Sequence, residues 1–193
     1  MQILVPKRSI NIPQFYGDGL IRPIIFFAGP VRGGGDWQVP MAHLVKEHPK
    51  LTKSIVAIPC RWDATHKMAP CFISGDQNVF PRQLNWERKY LKIAGLAPPP
   101  VPGCVLFWLG EEDTASPHPG PEPYSMDTRG EVAEWRMRMA FQNARVVIGA
   151  EPGYHGLSQI QRNYSQELGY DFPIYQTKEA TVNAAAEMAF RDL

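Results

Sequence analysis

The sequence contains few of the residues that build metal centres or disulfide frameworks. Its 193 residues include three cysteines, Cys60, Cys71 and Cys104, and five histidines. The cysteines are odd in number and form no C-x-x-C pair, which is typical of reduced thiols inside a cell. The histidines show no H-x-x-x-H spacing. We therefore expect neither a disulfide framework nor a zinc site.

Long apolar runs and an excess of one charge sign are also missing. No apolar stretch approaches about 18 residues, and the first residues, MQILVPKRS, lack the hydrophobic region of a signal peptide. The formal net charge is +1 with both signs interspersed, which argues against a nucleic-acid groove or an anionic membrane as partner. These absences predict a cytoplasmic protein that binds neither nucleic acid nor membrane.

What the sequence does contain is a regular alternation of short apolar runs and helical segments. The length suits one domain, and the 44% apolar and 20% charged fractions are ordinary globular values. The alternation predicts an α/β fold, a parallel α/β sandwich with five strands in the usual open order 2-1-3-4-5. Residues 23–193 would form this domain, and residues 1–22 an arm or edge hairpin. The predicted strands are 23–29, 53–59, 104–110, 144–150 and 172–176, and the predicted helices are 41–51, 84–95, 128–144 and 178–193.

Three polar segments are expected to converge at one edge of this sheet. In that strand order the first and third strands are neighbours, and ligands bind outside their carboxyl ends. The first strand leads into GPVRGGGD, and the third leads into a proline-rich loop and the helix over 128–144. The beginning of the helix over 84–95 lies at the same edge. The sequence therefore predicts a ligand-binding crevice there.

The glycine-rich turn after the first strand has the composition of an anion site. Residues 26–38 read FFAGPVRGGGDWQ, which places Arg32 beside three glycines whose backbone N–H groups are unshielded. The spacing fits neither G-x-G-x-x-G nor a P-loop, so a dinucleotide or triphosphate is not indicated. A ribose hydroxyl or a single phosphate remains plausible. The alternative is a flexible loop in which Arg32 is solvated or pairs with Asp36.

Two carboxylates near the predicted crevice have both a structural and a chemical interpretation. Thr128 and Glu131 match a T-x-x-E capping box, Glu87 matches a first-turn acid, and Glu134 can pair with Arg138 at i+4. The chemical interpretation is cleavage of an N-glycosidic bond. One carboxylate would attack the anomeric carbon, and a second carboxyl group, kept protonated by burial, would protonate the departing base.

Five stretches, taken in their order and spacing along the chain, carry a resemblance to a known family. They are IIFFAGPVRGGGDWQ (24–38), LNWERKYLKIAG (84–95), CVLFWLG (104–110), TRGEVAEW (128–135) and VVIGAEPG (146–153). Together they resemble the nucleoside 2-deoxyribosyltransferase-like family, a group whose fold is a flavodoxin-like three-layer sandwich. By this resemblance Glu131, followed by Val132 and Ala133, is the nucleophile, and Glu87 is the acid that faces the nucleobase. The resemblance also implies a reaction without cofactor or metal, with water or a second base as acceptor, in a homodimer or higher homo-oligomer.

The resemblance assigns further residues to the substrate and leaves one question open. It places the sugar's 5′ end against the loop that contains Gly29, Arg32, Gly33 and Gly34. Phe26, Trp37 and Trp86 would stack on the base, although aromatic residues at strand ends more often belong to the core.

Members of the family that act on 5′-monophosphates carry a serine six residues before the nucleophile, which matches Ser125. Members that act on free nucleosides carry an aspartate, for which Asp127 is the candidate, so the two substrates stay open. The chain also departs from the family, because Phe26 stands where a tyrosine usually bonds the nucleophile. A nucleoside- or nucleotide-binding module without turnover is therefore the alternative function.

Overall fold

The computed structural model describes residues 1–4, 6, 22–59 and 79–191, with the side chains of 79–82 excepted. Within these residues strands and helices alternate along the chain, and none of the helices is long and apolar enough to cross a membrane. The elements are β1 Gln2–Leu4, β2 Ile24–Ala28, α1 Gln38–Glu47, β3 Ile55–Ala57, α2 Val79–Leu96, β4 Gly103–Leu109, α3 Met126–Gln142, β5 Val146–Ala150, α4 Leu157–Leu168, β6 Ile174–Tyr175 and α5 Lys178–Ala189.

The strands form one parallel sheet of six strands in the order β1-β3-β2-β4-β5-β6. The predicted α/β class is confirmed. The predicted five-stranded sheet of order 2-1-3-4-5 is wrong in strand number and in overall order, because Gln2–Leu4 adds an edge strand beside β3. The remaining strands follow one another as β3-β2-β4-β5-β6.

The added edge strand is held by backbone hydrogen bonds to β3, and the pattern of its side chains did not indicate a strand. Gln2 lies opposite Ile55 in parallel register, and its N–H donates to Ser54 O at 2.9 Å. A strand of three residues is too short to display an alternation of apolar and polar positions. The first residues of the predicted arm or hairpin therefore form a parallel edge strand, and residues 7–21 lie outside the described residues.

Alternate residues of the strands supply two separate cores on the two faces of the sheet. Ile24, Phe26 and Ala28 pack on the face covered by α2, α3 and α4, whereas Ile25 and Phe27 pack on the face covered by α1 and α5. Side chains of a strand point alternately to opposite faces, so a central strand with helices on both sides is apolar throughout. All five residues of β2 are accordingly buried.

The closing helix packs inside the chain, and one helix was not predicted. Val182, Ala185 and Ala189 of α5 are buried against the sheet, so these two alanines pack within the chain. Helix α4 escaped prediction because its sequence, LSQIQRNYSQEL, is mostly polar. It is anchored by Tyr164, which is buried and donates its hydroxyl to Val132 O of α3 at 2.7 Å.

Candidate active site

A cavity of about 1060 Å³ opens at the carboxyl ends of β2 and β4. Its walls are the turn after β2, one face of α2, the loop before α3 and the first turns of α3. This volume is of the size that proteins use to enclose a small organic ligand. Seven of the eleven residues that the sequence assigned to catalysis or substrate binding line it: Phe26, Gly29, Arg32, Glu87, Ser125, Asp127 and Glu131.

Glu131 reaches the cavity from the second turn of α3, and the predicted capping box is wrong. The helix begins at Met126, so Thr128 is already helical, and the residue at the N-cap position is Ser125. Ser125 adopts the left-handed conformation with φ 62° and makes no side-chain cap. Its carbonyl accepts the N–H of Arg129 at 3.0 Å. The position of Glu131 is therefore not explained by helix capping.

The Glu131 carboxyl group is strongly perturbed by its surroundings. Burial is the largest cause, and the nearby charges of Glu87, Asp127 and Glu134 act in the same direction. Together they raise the pKa of Glu131 from 4.5 to about 8. A carboxyl group with so high a pKa at a cavity wall is a candidate for catalysis, because structural carboxylates are normally ionised and hydrated.

Glu87 enters the same cavity from the middle of α2, and its predicted place in a first turn is wrong. The helix begins at Val79 and has no acidic residue in its first turn, so the helix dipole does not explain this carboxylate. Gln83, one turn earlier, donates its Nε2 to Glu87 Oε1 at 2.7 Å. Burial raises the pKa of Glu87, the bond from Gln83 opposes that rise, and the charge of Asp127 adds to it.

Two carboxyl groups with raised pKa values thus approach one cavity from two helices. Their charges interact, since Glu87 is among the causes of the raised pKa of Glu131. Like charges that share a low-dielectric site tend to hold a proton between them. The pair is therefore able to offer one carboxylate and one carboxylic acid at the same pH.

Arg32 stands at the mouth of the cavity and faces a carboxylate of α3. Its Nη2 lies 3.9 Å from Asp127 Oδ2, and the two side chains are 63% and 93% exposed. An ion pair this exposed contributes at most about 1 kcal/mol, so a ligand can displace either partner at little cost. Elsewhere on α3 the predicted pairing of Glu134 with Arg138 is confirmed, with Arg138 Nε at 3.0 Å from Glu134 Oε1.

The glycines after Arg32 are required by close packing between two loops. Gly33 has φ +74°, and a Cβ there would lie 2.6 Å from the backbone nitrogen of His118. A Cβ on Gly34 would lie 2.5 Å from Pro30 O. The loop after β4 is tied to this turn, because Asp113 N donates to Gly33 O at 2.7 Å. Neither glycine is among the residues that line the cavity.

Of the three aromatic residues proposed to stack on a base, Phe26 lines the cavity. Its ring lies 5.9 Å from that of Trp86, which in turn lies 5.0 Å from the ring of Tyr90. Trp86 belongs to the core between the sheet and α2. Trp37 belongs to the opposite core and donates its Nε1 to Pro30 O at 2.8 Å. Both tryptophans are therefore core residues, as the alternative interpretation expected.

Ser125 is buried on the cavity wall and already has a hydroxyl partner. Its Oγ lies 2.7 Å from the hydroxyl oxygen of Tyr154, in the turn after β5. The sequence gives no signal for this pair, since the two residues are 29 positions apart. The sequence could have indicated Gln83, because a residue four positions before Glu87 lies beside it on a helix. The predicted helix began at residue 84, so this pair was not recognised.

In the part of the chain that the structure describes, no group of three or more His, Cys, Asp or Glu side chains could hold a metal ion. Cys104 is buried and free, and Cys60 and Cys71 fall outside those residues. The fold and site together define an α/β protein with a parallel sheet and a carboxyl pair in a cavity at the sheet's carboxyl edge. No protein-family model and no curated protein matches this sequence.

Proposed function

We propose that the protein is a cytoplasmic enzyme that cleaves the N-glycosidic bond of a 2′-deoxynucleoside or its 5′-monophosphate. The glycosyl group would pass to a second base or to water, as in the nucleoside 2-deoxyribosyltransferase-like family, whose flavodoxin-like layout the parallel sheet fits. The observation that carries the proposal is the placement of Glu131 and Glu87, from two helices, on one cavity.

The two carboxyl groups have complementary roles in the reaction. The Glu131 carboxylate attacks C1′ of the sugar, and the electrons of the C1′–N bond pass to the base. Glu87 gives its proton to the base as the base departs, so the base leaves as a neutral molecule. A second base or a water molecule then attacks C1′ and gives its proton to the Glu87 carboxylate, and the carboxylate of Glu131 is released.

The reaction depends on where the pair holds its proton. At neutral pH the pair holds a proton, because burial raises the pKa of both groups and the charge of Glu87 raises the pKa of Glu131 further. The reactive arrangement has the proton on Glu87 and the charge on Glu131. A sugar with oxocarbenium character favours that arrangement, since it stabilises the carboxylate beside C1′.

The mouth of the cavity bears on the choice between a nucleoside and a monophosphate. Arg32 would bind a 5′-phosphate as a charged fork, after it leaves Asp127. Asp127 would instead accept a hydrogen bond from a sugar hydroxyl, and its charge opposes a phosphate. Ser125 is engaged with Tyr154 on the same wall. Both substrates are therefore included in the proposal.

Chromatography of free base tests the activity directly. The protein is incubated with a panel of 2′-deoxynucleosides and their 5′-monophosphates, with and without a second base. We expect base release from at least one substrate, and Glu131→Gln should abolish it. Glu167→Gln is the matched control, because it makes the same chemical change at an exposed position on α4. The absence of base release across the whole panel would refute the activity.

A nucleoside- or nucleotide-binding module without turnover is the second candidate, and Phe26 favours it. This side chain lines the cavity, 2% exposed, and has no hydroxyl group with which to support the nucleophile. The module predicts tight binding of a nucleoside or nucleotide without base release. It also predicts equal affinities for the wild-type protein and Glu131→Ala.

We also propose that the protein self-associates through α3 to form a homodimer or a higher homo-oligomer. Met126, Met137 and Phe141 of this helix are 59%, 40% and 75% exposed, although large apolar side chains favour burial. Met126 also lines the cavity, so a second copy on this face would cover part of the site. Light scattering measures the mass in solution, and a monomer at all concentrations would refute this proposal.

A further inference from the structure

Gln83 is a polar side chain in the cavity wall, and one of the two polar atoms of its amide group lacks a hydrogen bond to any described residue. It is 8% exposed and lines the cavity one turn before Glu87. Its Nε2 donates to Glu87 Oε1 at 2.7 Å, whereas its Oε1 is buried and has no hydrogen-bond partner among the residues that the structure describes. Glutamine amides in protein interiors normally use both ends.

The unused acceptor needs an explanation because it is costly. A buried acceptor without a partner has lost its hydrogen bonds to water and gained none in exchange, which destabilises the folded state. The terminal torsion of a glutamine is soft, so the amide plane can tilt towards the cavity while Nε2 keeps its bond to Glu87. A ligand N–H placed there would satisfy the acceptor and recover that cost. The cavity wall is therefore built to receive a hydrogen-bond donor at this point.

We propose that Gln83 and Glu87 together bind the amide or amidine edge of a nucleobase. Gln83 Oε1 accepts a ligand N–H, and the other carboxyl oxygen of Glu87, Oε2, donates its proton to the adjacent ring nitrogen or carbonyl oxygen. The bond from Gln83 Nε2 occupies Glu87 Oε1, which directs the protonated oxygen towards the ligand. This inference rests on the proposed substrate class, but it does not depend on turnover.

The pair also provides for the proton that the departing base needs. As the C1′–N bond breaks, its electrons enter the base, and the proton on Glu87 Oε2 moves to the base atom that it already bonds. Glu87 is left as a carboxylate. The hydrogen bond from Gln83 Nε2 to Glu87 Oε1 is kept and stabilises that negative charge, which agrees with the lowering effect of this bond on the pKa of Glu87.

The edge in question has an N–H next to an acceptor. Adenine and cytosine present it through an exocyclic amino group, and hypoxanthine and uracil present it through a ring N–H beside a carbonyl. A purine without a 6-substituent lacks the donor. Nucleobases with and without this N–H should therefore bind with different affinities, and the difference should depend on Gln83.

Titration calorimetry in a Glu131→Gln background, where no base can be released, tests the inference. The ligands are 2′-deoxyadenosine against purine 2′-deoxyriboside, and 2′-deoxyuridine against 3-methyl-2′-deoxyuridine. We expect the ligand with the N–H to bind about tenfold more tightly, which corresponds to one neutral hydrogen bond. Gln83→Met should reduce this preference to about twofold or less, because it keeps the side chain's length and removes the acceptor.

Gln38→Met is the matched control. Gln38 is likewise buried, its Nε2 donates to Pro59 O, and its Oε1 has no partner within the described part of the chain. It is not among the residues that line the cavity. This variant should keep the tenfold preference. The wild-type comparison of ligands stands even if Gln83→Met does not fold, since equal affinities for both members of each pair would overturn the inference.

The outcomes separate this inference from the proposed reaction. A preference that persists in Gln83→Met, or a failure of all four ligands to bind, overturns the role of Gln83. A preference that depends on Gln83, together with no base release by the wild-type protein, supports the role of Gln83 and refutes catalysis. Base release by the wild-type protein, together with a ligand preference that Gln83→Met leaves unchanged, supports catalysis and refutes the role of Gln83.

Discussion

Replacement of Glu131 by glutamine should make the protein more stable while it removes the proposed nucleophile. Burial and the neighbouring carboxylates raise the pKa of Glu131 from 4.5 to about 8 in the folded state. The folded protein therefore binds this proton more tightly than the unfolded chain. The contribution of protonated Glu131 to the free energy of unfolding is fully present below about pH 4.5 and is lost as the pH rises towards 8. Glutamine has the shape of the protonated acid and does not titrate.

The size of the effect follows from the two pKa values. One pKa unit corresponds to about 1.4 kcal/mol, so the free energy of unfolding of Glu131→Gln should exceed that of the wild type by about 3 kcal/mol at pH 7. The same arithmetic gives about 5 kcal/mol at pH 9 and less than about 1 kcal/mol at pH 5. For a domain of this length, about 3 kcal/mol raises the Tm by about 6–12 °C.

Urea unfolding followed by circular dichroism at pH 5, 7 and 9 measures these differences. Glu167→Gln makes the same chemical change on the exposed surface of α4 and should alter stability by less than about 0.5 kcal/mol at each pH. A stability difference for Glu131→Gln that is flat with pH, or of opposite sign, would show that the carboxyl group is not buried as described. The reasoning about its reactivity would then be refuted too.

Three further predictions concern the pH profile, the turn after β2 and the cavity mouth. Because the reaction needs one proton on the pair, kcat/KM for base release should fall about tenfold per pH unit above about pH 8, where the pair loses that proton, whereas a profile that stays flat from pH 7 to 10 would contradict the assignment. Gly29→Ala should destabilise the fold by more than about 2 kcal/mol in urea unfolding, because φ is +147° and a Cβ would lie 2.3 Å from Trp108 O; an unchanged midpoint would contradict that packing. Arg32→Ala should change stability by less than about 1 kcal/mol, since its pair with Asp127 is exposed, yet it should weaken binding of a deoxynucleoside 5′-monophosphate at least about tenfold in calorimetry. Equal losses for nucleoside and monophosphate would mean that Arg32 does not bind the phosphate.

Local patterns in the sequence identified most of the sheet but not its edge. Continuous apolar runs such as IIFFA predicted central strands because both faces of those strands are covered. The edge strand Gln2–Leu4 and the polar helix α4 were missed, since each is held by contacts with distant parts of the chain. Gln2 bonds to Ser54, and Tyr164 bonds to Val132.

The helix starts show why local signals misplaced two carboxylates. Thr128 and Glu131 have the spacing of a capping box, and Asn85 precedes Glu87 as an N-cap would. Both helices nevertheless begin earlier, at Met126 and Val79. At the start of α3 the N-cap position is occupied by Ser125, which is buried and lies in hydrogen-bond contact with Tyr154, a contact between distant residues that the local capping motif does not contain.

By itself the sequence determined the α/β class, the parallel arrangement and the edge of the sheet at which the polar loops gather. These follow from periodicity and chain order, which are local properties. Only the tertiary structure decided from which turns of α2 and α3 Glu87 and Glu131 enter the cavity, that the charge of Glu87 raises the pKa of Glu131, and that Gln83 donates a hydrogen bond to Glu87. Those properties depend on burial and on distances between helices that are far apart in the chain, and no local pattern encodes either.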